Sequence, residues 1–512
     1  MPDARHDDTY LTSPPLTDKM PGGIPYIVGN EAAERFSFYG MRAILYVFMT
    51  EHLLNSAGGA AHFDAATATE WQHWFAFGVY FLPMAGAILA DWLWGKYKTI
   101  LWLSLMYCVG HAVLAFVDLP QLTGVAPKWL LAVALVCLSI GAGGIKPCVS
   151  AHVGDQFGKL NQHLLPRVYQ WFYFAINVGA AVSMVLTPRL LEWFGPPVAF
   201  GVPGVLMALA TFVFWLGRNK FVHVPPTGDR IFSEIVSPAG RRAIANLLPL
   251  YFFVIMFFAM FEQTQSTWIE QAKYMDRIVH LPILGEFEFI PAELQAINSI
   301  FVLMMIPPFT LVIYPFWGRF TEVTPLKKVG VGLLVTAASF VVCAMVQQRI
   351  DPWTGPNRCL QLGLSLLPVN VGGAVEGLLG AEQAPSIWWQ VLAYLILTAG
   401  EVLVSITVLE FSYTQAPKTL KSFIMGLFLF AIALGNMVIA VAAGKISELE
   451  KAGVKILSGA NYFWTFSVAM LIATLAFVVW SQFYRGATYI QGDDGPSAAD
   501  LAEADADATA AN

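Results

Sequence analysis

Residues 29–42 read Gly29-Asn30-Glu31-Ala32-Ala33-Glu34-Arg35-Phe36-Ser37-Phe38-Tyr39-Gly40-Met41-Arg42. They lie inside an apolar segment, about 24–54, that is long enough to cross the roughly 30 Å hydrocarbon core of a bilayer. Yet the stretch carries Glu31, Glu34, Arg35 and Arg42. On insertion scales each charge costs about 2.5–3.5 kcal/mol at the bilayer centre, or roughly 10–14 kcal/mol together. A lipid-facing helix does not keep that penalty. At helical spacing Glu31, Glu34, Arg35, Phe38, Tyr39 and Arg42 form one stripe, with Glu31 and Arg35 as i, i+4 partners. The stripe therefore looks into a water-filled or partner-lined cavity. It is either a fixed ion-pair network holding helices together or a site for substrate and protons.

The rest of the composition agrees. Of 512 residues, 57% are hydrophobic and only 12% charged, about half the charge of an ordinary soluble domain. This is an all-α polytopic membrane protein. The formal charge of −6 resides in the tail, where Asp493, Asp494, Asp500, Glu503, Asp505 and Asp507 stand without Lys or Arg. The remainder balances, so nothing points to nucleic acid. Cys108, Cys137, Cys148 and Cys343 fall in apolar segments and Cys359 in a loop, without metal-ligand spacing or a disulfide framework.

Apolar segments recur near 24–54, 70–93, 99–117, 129–150, 168–187 and 198–217. They resume near 246–270, 293–317, 328–347, 387–412, 422–444 and 460–483. The division expected is a disordered tail at 1–22, a six-helix bundle at 23–217, a linker at 218–245, a second bundle at 246–484 with an outer loop at 348–386, and an acidic disordered tail at 485–512. Residues 1–22 contain no cleavable signal pattern. Of the 29 Lys and Arg, only Arg35, Arg42 and Lys146 fall within spans. Most of the others lie on the side shared by the termini and the even-numbered loops, which puts both termini in the cytoplasm of a cell (inner or plasma) membrane.

Further polar positions fall inside the spans. His73 and Tyr80 share a face of the second segment, and imidazole titrates near neutral pH. The fourth ends Gly141-Ala142-Gly143-Gly144-Ile145-Lys146-Pro147, in which small residues allow close helix approach. The fifth carries Phe172-Tyr173-Phe174-Ala175-Ile176-Asn177-Val178-Gly179. The second half contributes Glu262, Asn298, and Gly400-Glu401-Val402-Leu403-Val404-Ser405 followed by Leu409-Glu410-Phe411-Ser412-Tyr413.

Glu31-x-x-Glu34-Arg35-Phe36-x-x-Tyr39 resembles the first-helix signature of proton-coupled oligopeptide transporters, with Phe38 replacing a family Tyr. The runs at 172–179 and 400–413 look like two further motifs of that family, Val408 replacing a Gly. The segment from Gln72 is similar to the second helix of animal peptide transporters, in which a His at the position of His73 is required. Gly86-x-x-x-Ala90-Asp91-x-x-x-Gly95-Lys96 resembles the loop signature of the major facilitator superfamily, where it latches helix ends.

The resemblance implies a major facilitator fold of 12 transmembrane helices in two six-helix bundles around a midplane site. It also implies a symporter that imports di- and tripeptides by alternating access, with protons as coupling ion, no other cofactor, and a monomer as the working unit. Proton coupling is expected from Glu31, Glu34, Arg35, His73, Lys146 and Glu262. Peptide binding is expected from Arg35, Tyr39, Arg42, Tyr80, Lys146, Asn177, Asn298, Glu401 and Ser405, with the carboxylate on the basic first half and the ammonium on Glu401. Gly86, Asp91, Gly95 and Lys96 are the gating candidates, and a Lys146–Glu401 bridge is a candidate gate. Competing readings are a nitrate or other small-anion carrier of the same family, a drug exporter, and a peptide sensor that binds without turnover. No catalytic triad, metal cluster or phosphate loop argues for an enzyme.

Overall fold

The computed structural model describes residues 10–226, 236–281, 285–351, 384–415, 421–454 and 457–484. The tail at 485–512, residues 1–9 of the other tail, 227–235 of the linker and 352–383 of the long loop lie outside the described residues. Twelve long helices carry the fold. In the first half they are α1 (Ile24–Val47), α2 (Ala65–Leu89), α3 (Lys96–Ala115), α4 (Pro127–Asp155), α5 (Leu165–Phe194) and α6 (Pro196–Leu216). In the second they are α7 (Pro238–Phe261), α8 (Gln295–Pro308), α9 (Pro325–Ile350), α10 (Trp388–Glu401), α11 (Lys421–Lys451) and α12 (Ala460–Ser481). Eleven are long and apolar enough to cross a membrane, counting their short helical extensions. The twelfth, α1, is set apart by its four charges.

Local chemistry starts and stops these helices. Asp64 caps α2 by accepting the Thr67 N–H at 2.7 Å, and Ser237 and Thr324 cap α7 and α9 in the same way. Pro127, Pro196, Pro238 and Pro325 open their helices, where the missing N–H costs nothing. Gly95, at φ +74°, supplies the left-handed turn between α2 and α3. Among the described residues π-helical turns end α1 and α2, at Phe48–His52 and Ala90–Trp94, and follow α8 and α10 at Phe309–Ile313 and Val402–Ile406.

Each half has its own apolar core. Phe38, Tyr46, Phe48, Phe200 and Phe214 are buried in the first, and Phe257, Trp268, Phe340, Tyr394 and Phe477 in the second. Inside the first half α1 packs on α5 and α6, and α4 packs on α2 and α3. The α2–α4 contact is backbone to backbone: a Cβ on Gly86 would lie 2.5 Å from the Gly144 carbonyl oxygen and 2.6 Å from its Cα. Between halves, α2 runs along α11, and α5 meets α8.

One departure from an all-helical chain is a hairpin between α7 and α8. Ile278–Leu281 pairs antiparallel with Gly285–Glu288, Val279 facing Phe287. Buried Val279 between exposed Ile278 and His280 gives the alternation of a half-buried strand. The side of the molecule carrying Asp91 and Lys96 is called the near face below, and the side carrying this hairpin the far face.

Candidate functional site

The charged stripe of α1 lies at the centre of the molecule. Arg35 Nε stands 2.6 Å from Glu31 Oε1 and 3.1 Å from Glu34 Oε2. Both carboxylates are buried, yet Glu31 Oε2 and both Glu34 oxygens accept no hydrogen bond. One guanidinium therefore faces two carboxylates that are poorly supplied with donors. Two turns further on, Arg42 pairs with Glu262 of the second half and donates to the Tyr80 hydroxyl at 3.3 Å.

Lys146 differs from the two arginines. Among the described residues no carboxylate lies within ion-pair distance of it. Its Nζ sits over the ring faces of Phe38, at 4.1 Å, and Tyr80, at 4.6 Å. Cation–π contacts give about 0.5–2 kcal/mol each, short of what a desolvated ammonium loses. Phe38, standing where a Tyr was expected, keeps the π face and lacks only the hydroxyl. Lys146 and Arg35 line a cavity of about 560 Å³ whose wall also includes Pro83, Ala87, Met425 and, at the near face, Asp91 and Lys96.

On α10, Glu401 accepts from Asn298 Nδ2 at 2.8 Å, and Asn298 also donates to Thr398 at 3.0 Å; neither residue lines that cavity. These expected partners from α8 and α10 are thus brought together. Lys146 and Glu401 are not: no bridge joins them here. Asn177 donates to the Tyr173 carbonyl of its own helix. Ser405 lies in the π turn after Glu401, its buried hydroxyl without a partner. Tyr39 packs edge-on to Phe38 and against Ala43, Met184 and Ala296.

His73 is buried between the halves. Its Nδ1 is 2.8 Å from Asn436 Oδ1 on α11 and its Nε2 2.9 Å from Ser266 Oγ. Asn436 spends its amide N–H on the Ile432 carbonyl, so the oxygen facing His73 can only accept. The neutral ring therefore carries its proton on Nδ1 and accepts a hydrogen bond from the Ser266 hydroxyl at Nε2.

Several contacts were absent from the sequence reading. Arg189 on α5 holds Glu293 bidentately, with Nε–Oε1 2.5 Å and Nη2–Oε2 2.8 Å. Lys273 joins Glu51 at 2.7 Å and Glu270 at 3.0 Å, and Tyr46 donates to Glu270 at 3.2 Å. With Arg42–Glu262 and the His73 clamp, these close the far face between halves. At the near face Lys96 pairs with Asp155, at 2.8 Å. Arg189, Glu293 and Lys273 sit at span ends, where positive-inside counting assigns them to loops; a cation one turn inside an apolar run was the available signal for Arg189.

Comparison with known proteins gives a consistent result. A family model described as the POT family matches residues 97–238 and 230–464. Peptide transporter 3 of Caenorhabditis elegans is 34% identical over 65% of this chain and 51% of its own length. Solute carrier family 15 member 2 of Rattus norvegicus is 33% identical over 72% of this chain and 55% of its own. The chain spans about half the length of these relatives. Among solved structures, the POT family transporter PepTSo superimposes with a TM-score of 0.73 at 32% identity, over 91% of this chain and 99% of that one. An auto-inhibited POT family peptide transporter gives a TM-score of 0.75 at 30% identity, over 92% and 99%.

Proposed function

The chain belongs to the POT family, and we propose that it is a proton-coupled symporter that imports di- and tripeptides by alternating access. The observation that carries this reading is Lys146: a cation without a carboxylate, on the wall of a 560 Å³ cavity, while Arg35 and Arg42 are already paired. A peptide carboxylate supplies the missing anion. Glu401, steadied by Asn298 in the other half, receives the ammonium. A site that presents one cation and one anion to a single ligand selects zwitterions over nitrate.

Coupling follows from the Glu31–Glu34–Arg35 cluster. Protonating either carboxylate loosens its hold on Arg35, which lines the same cavity and then presents its guanidinium to the peptide carboxylate as a bidentate donor. The driving force is sufficient: each inward proton yields about 2.3 kcal/mol per 100 mV and about 1.4 kcal/mol per pH unit. By the positive-inside argument the near face is cytoplasmic, in a cell membrane with both termini inside. The conformation described is then the one that releases peptide, with the far face closed by Arg42–Glu262, Arg189–Glu293 and the His73 clamp.

Labelled dialanine uptake into liposomes holding the purified protein tests the reading. Accumulation above equilibration under an inward proton gradient, abolished by an ionophore, is expected. Absence of both accumulation and exchange refutes peptide transport, and accumulation of nitrate instead selects the anion carrier. Binding without exchange selects the sensor.

A further inference from the structure

The hydrogen bond between Asn298 and Glu401 has a further residue behind it. Thr398 is buried on α10, close to one turn before Glu401. Its hydroxyl donates to the Tyr394 carbonyl at 2.8 Å. A hydroxyl has a single hydrogen, so toward Asn298, 3.0 Å away, Thr398 can only accept. That decides which way the Asn298 amide faces. Its Nδ2 gives one hydrogen to Thr398 and the other to Glu401 Oε2 at 2.8 Å. Turned over, the amide would set its oxygen against a lone pair of Thr398 and against a carboxylate.

A threonine bonded to the carbonyl four residues back is ordinary in a buried helix. Here the carbonyl that it reads belongs to a fixed part of the molecule. The Tyr394 hydroxyl donates to the Thr264 carbonyl at 3.3 Å, and its ring packs edge-on against Trp268 with centroids 4.8 Å apart. Gln390 donates to the Trp268 carbonyl at 2.6 Å. These contacts key the first turns of α10 to the segment after α7 that carries Glu262 and Ser266. Beyond Glu401 the α-helix gives way to the π turn. Thr398 thus stands on the fixed side of that boundary, and Glu401 at its edge.

We propose that Thr398 is a positioning residue for the ammonium end of the peptide site: by accepting from Asn298, it keeps a donor rather than an acceptor facing Glu401. The donor holds the carboxylate by Oε2 and leaves Oε1 for the ammonium. Glu401 is part-exposed, and the guanidinium of Arg42 is already taken by Glu262. Thr398 acts through Asn298 and need not touch the peptide. Its role rests on the transport reading above, in which Glu401 receives the ammonium.

Equilibrium binding to the purified full chain compares dialanine with propionylalanine, the same molecule with its amino group replaced by hydrogen. Thr398→Val keeps the shape of the side chain and loses the hydroxyl. Dialanine binding then weakens about three- to tenfold, the range for one hydrogen bond. Propionylalanine binding is unchanged, which also certifies the fold. Thr398→Ser, which keeps the hydroxyl, restores dialanine binding. In an Asn298→Ala background Thr398→Val has no further effect, as expected of two residues acting in series. In liposomes the loss falls on half-saturation and not on the maximal rate. Unaltered dialanine binding in Thr398→Val, equal weakening of propionylalanine, or a further loss in the Asn298→Ala background overturns the positioning role. Thr398→Ala, which introduces no new methyl, carries the same outcomes where Thr398→Val does not fold. A wild-type protein that binds both ligands equally takes the ammonium out of the site and overturns the role alone, whereas one that binds neither refutes the peptide reading itself.

Discussion

Replacing Glu293 by Gln measures how far one ion pair keeps the far face shut. The Glu293 side chain is 3% exposed and that of Arg189 22%. Removing one partner of a fully buried pair costs about 3–5 kcal/mol, and exposed pairs are worth about 0.2–1 kcal/mol. This pair lies between those limits. Arg189 keeps a hydrogen bond to the Glu288 carbonyl at 2.9 Å, and Glu192 stands 3.6 Å away to take up part of the charge. A loss of about 1.5–2 kcal/mol follows, and at tenfold per 1.4 kcal/mol the ratio of far-open to far-closed molecules rises roughly 10- to 30-fold. Gln still accepts the Ile290 N–H that Glu293 now caps at 3.0 Å, so the helix start is preserved. Spin labels at exposed Trp193 on α5 and Ile278 on the hairpin report the separation of the halves. The mutant distance distribution gains a longer component in liposomes at neutral pH. An unchanged distribution refutes the reasoning, because it means the pair holds nothing that the remaining contacts do not already hold.

Lys146→Ala removes the one cation of the site that lacks a carboxylate; dialanine binding weakens about 10- to 100-fold, from the roughly 1.5–3 kcal/mol of a charged hydrogen bond, and equilibrium binding checks it. Gly86→Ala pushes a methyl into the Gly144 backbone, an overpacking cost of about 1–3 kcal/mol that appears as a lower unfolding temperature of the detergent-solubilised protein. Asp64→Ala removes the cap of α2 and its contacts with Ser447 at 3.5 Å and Lys451 at 3.6 Å. The expected loss is about 1 kcal/mol, read as a lower proteolytic resistance of the loop before α2.

The spans were legible because hydropathy alone separates lipid-compatible helices from their connections. The α1 stripe was legible for the opposite reason: four charges in an apolar run demand an interior, and their i, i+4 spacing correctly paired Glu31 with Arg35. Periodicity says which face of a helix is polar, and it is silent on which helix looks back. Arg42 and Glu262 could each be singled out, but their meeting across 220 positions depends on how the halves lean. The same holds for His73 with Asn436 and Ser266. At the near face the helix ends bring Asp155 to Lys96, a pairing that the spacing of the two residues does not suggest. The strands of the hairpin at 278–288, four residues each, are too short to stand out beside spans of 20 residues or more.

The π turn at Val402–Ile406, directly after Glu401, carries a further consequence. Such a turn is one surplus residue absorbed as a bulge, with the helix on either side kept in phase. Elsewhere in a long helix a single deletion rotates everything beyond it by about 100° and carries half a span's lipid-facing surface inward. Deleting one residue from 402–406 instead restores a plain α-helix and leaves both flanks pointing where they did. The fold tolerates the loss, while the widened turn beside Glu401 disappears. In this segment the number of residues is itself inherited information, open to selection separately from their identities.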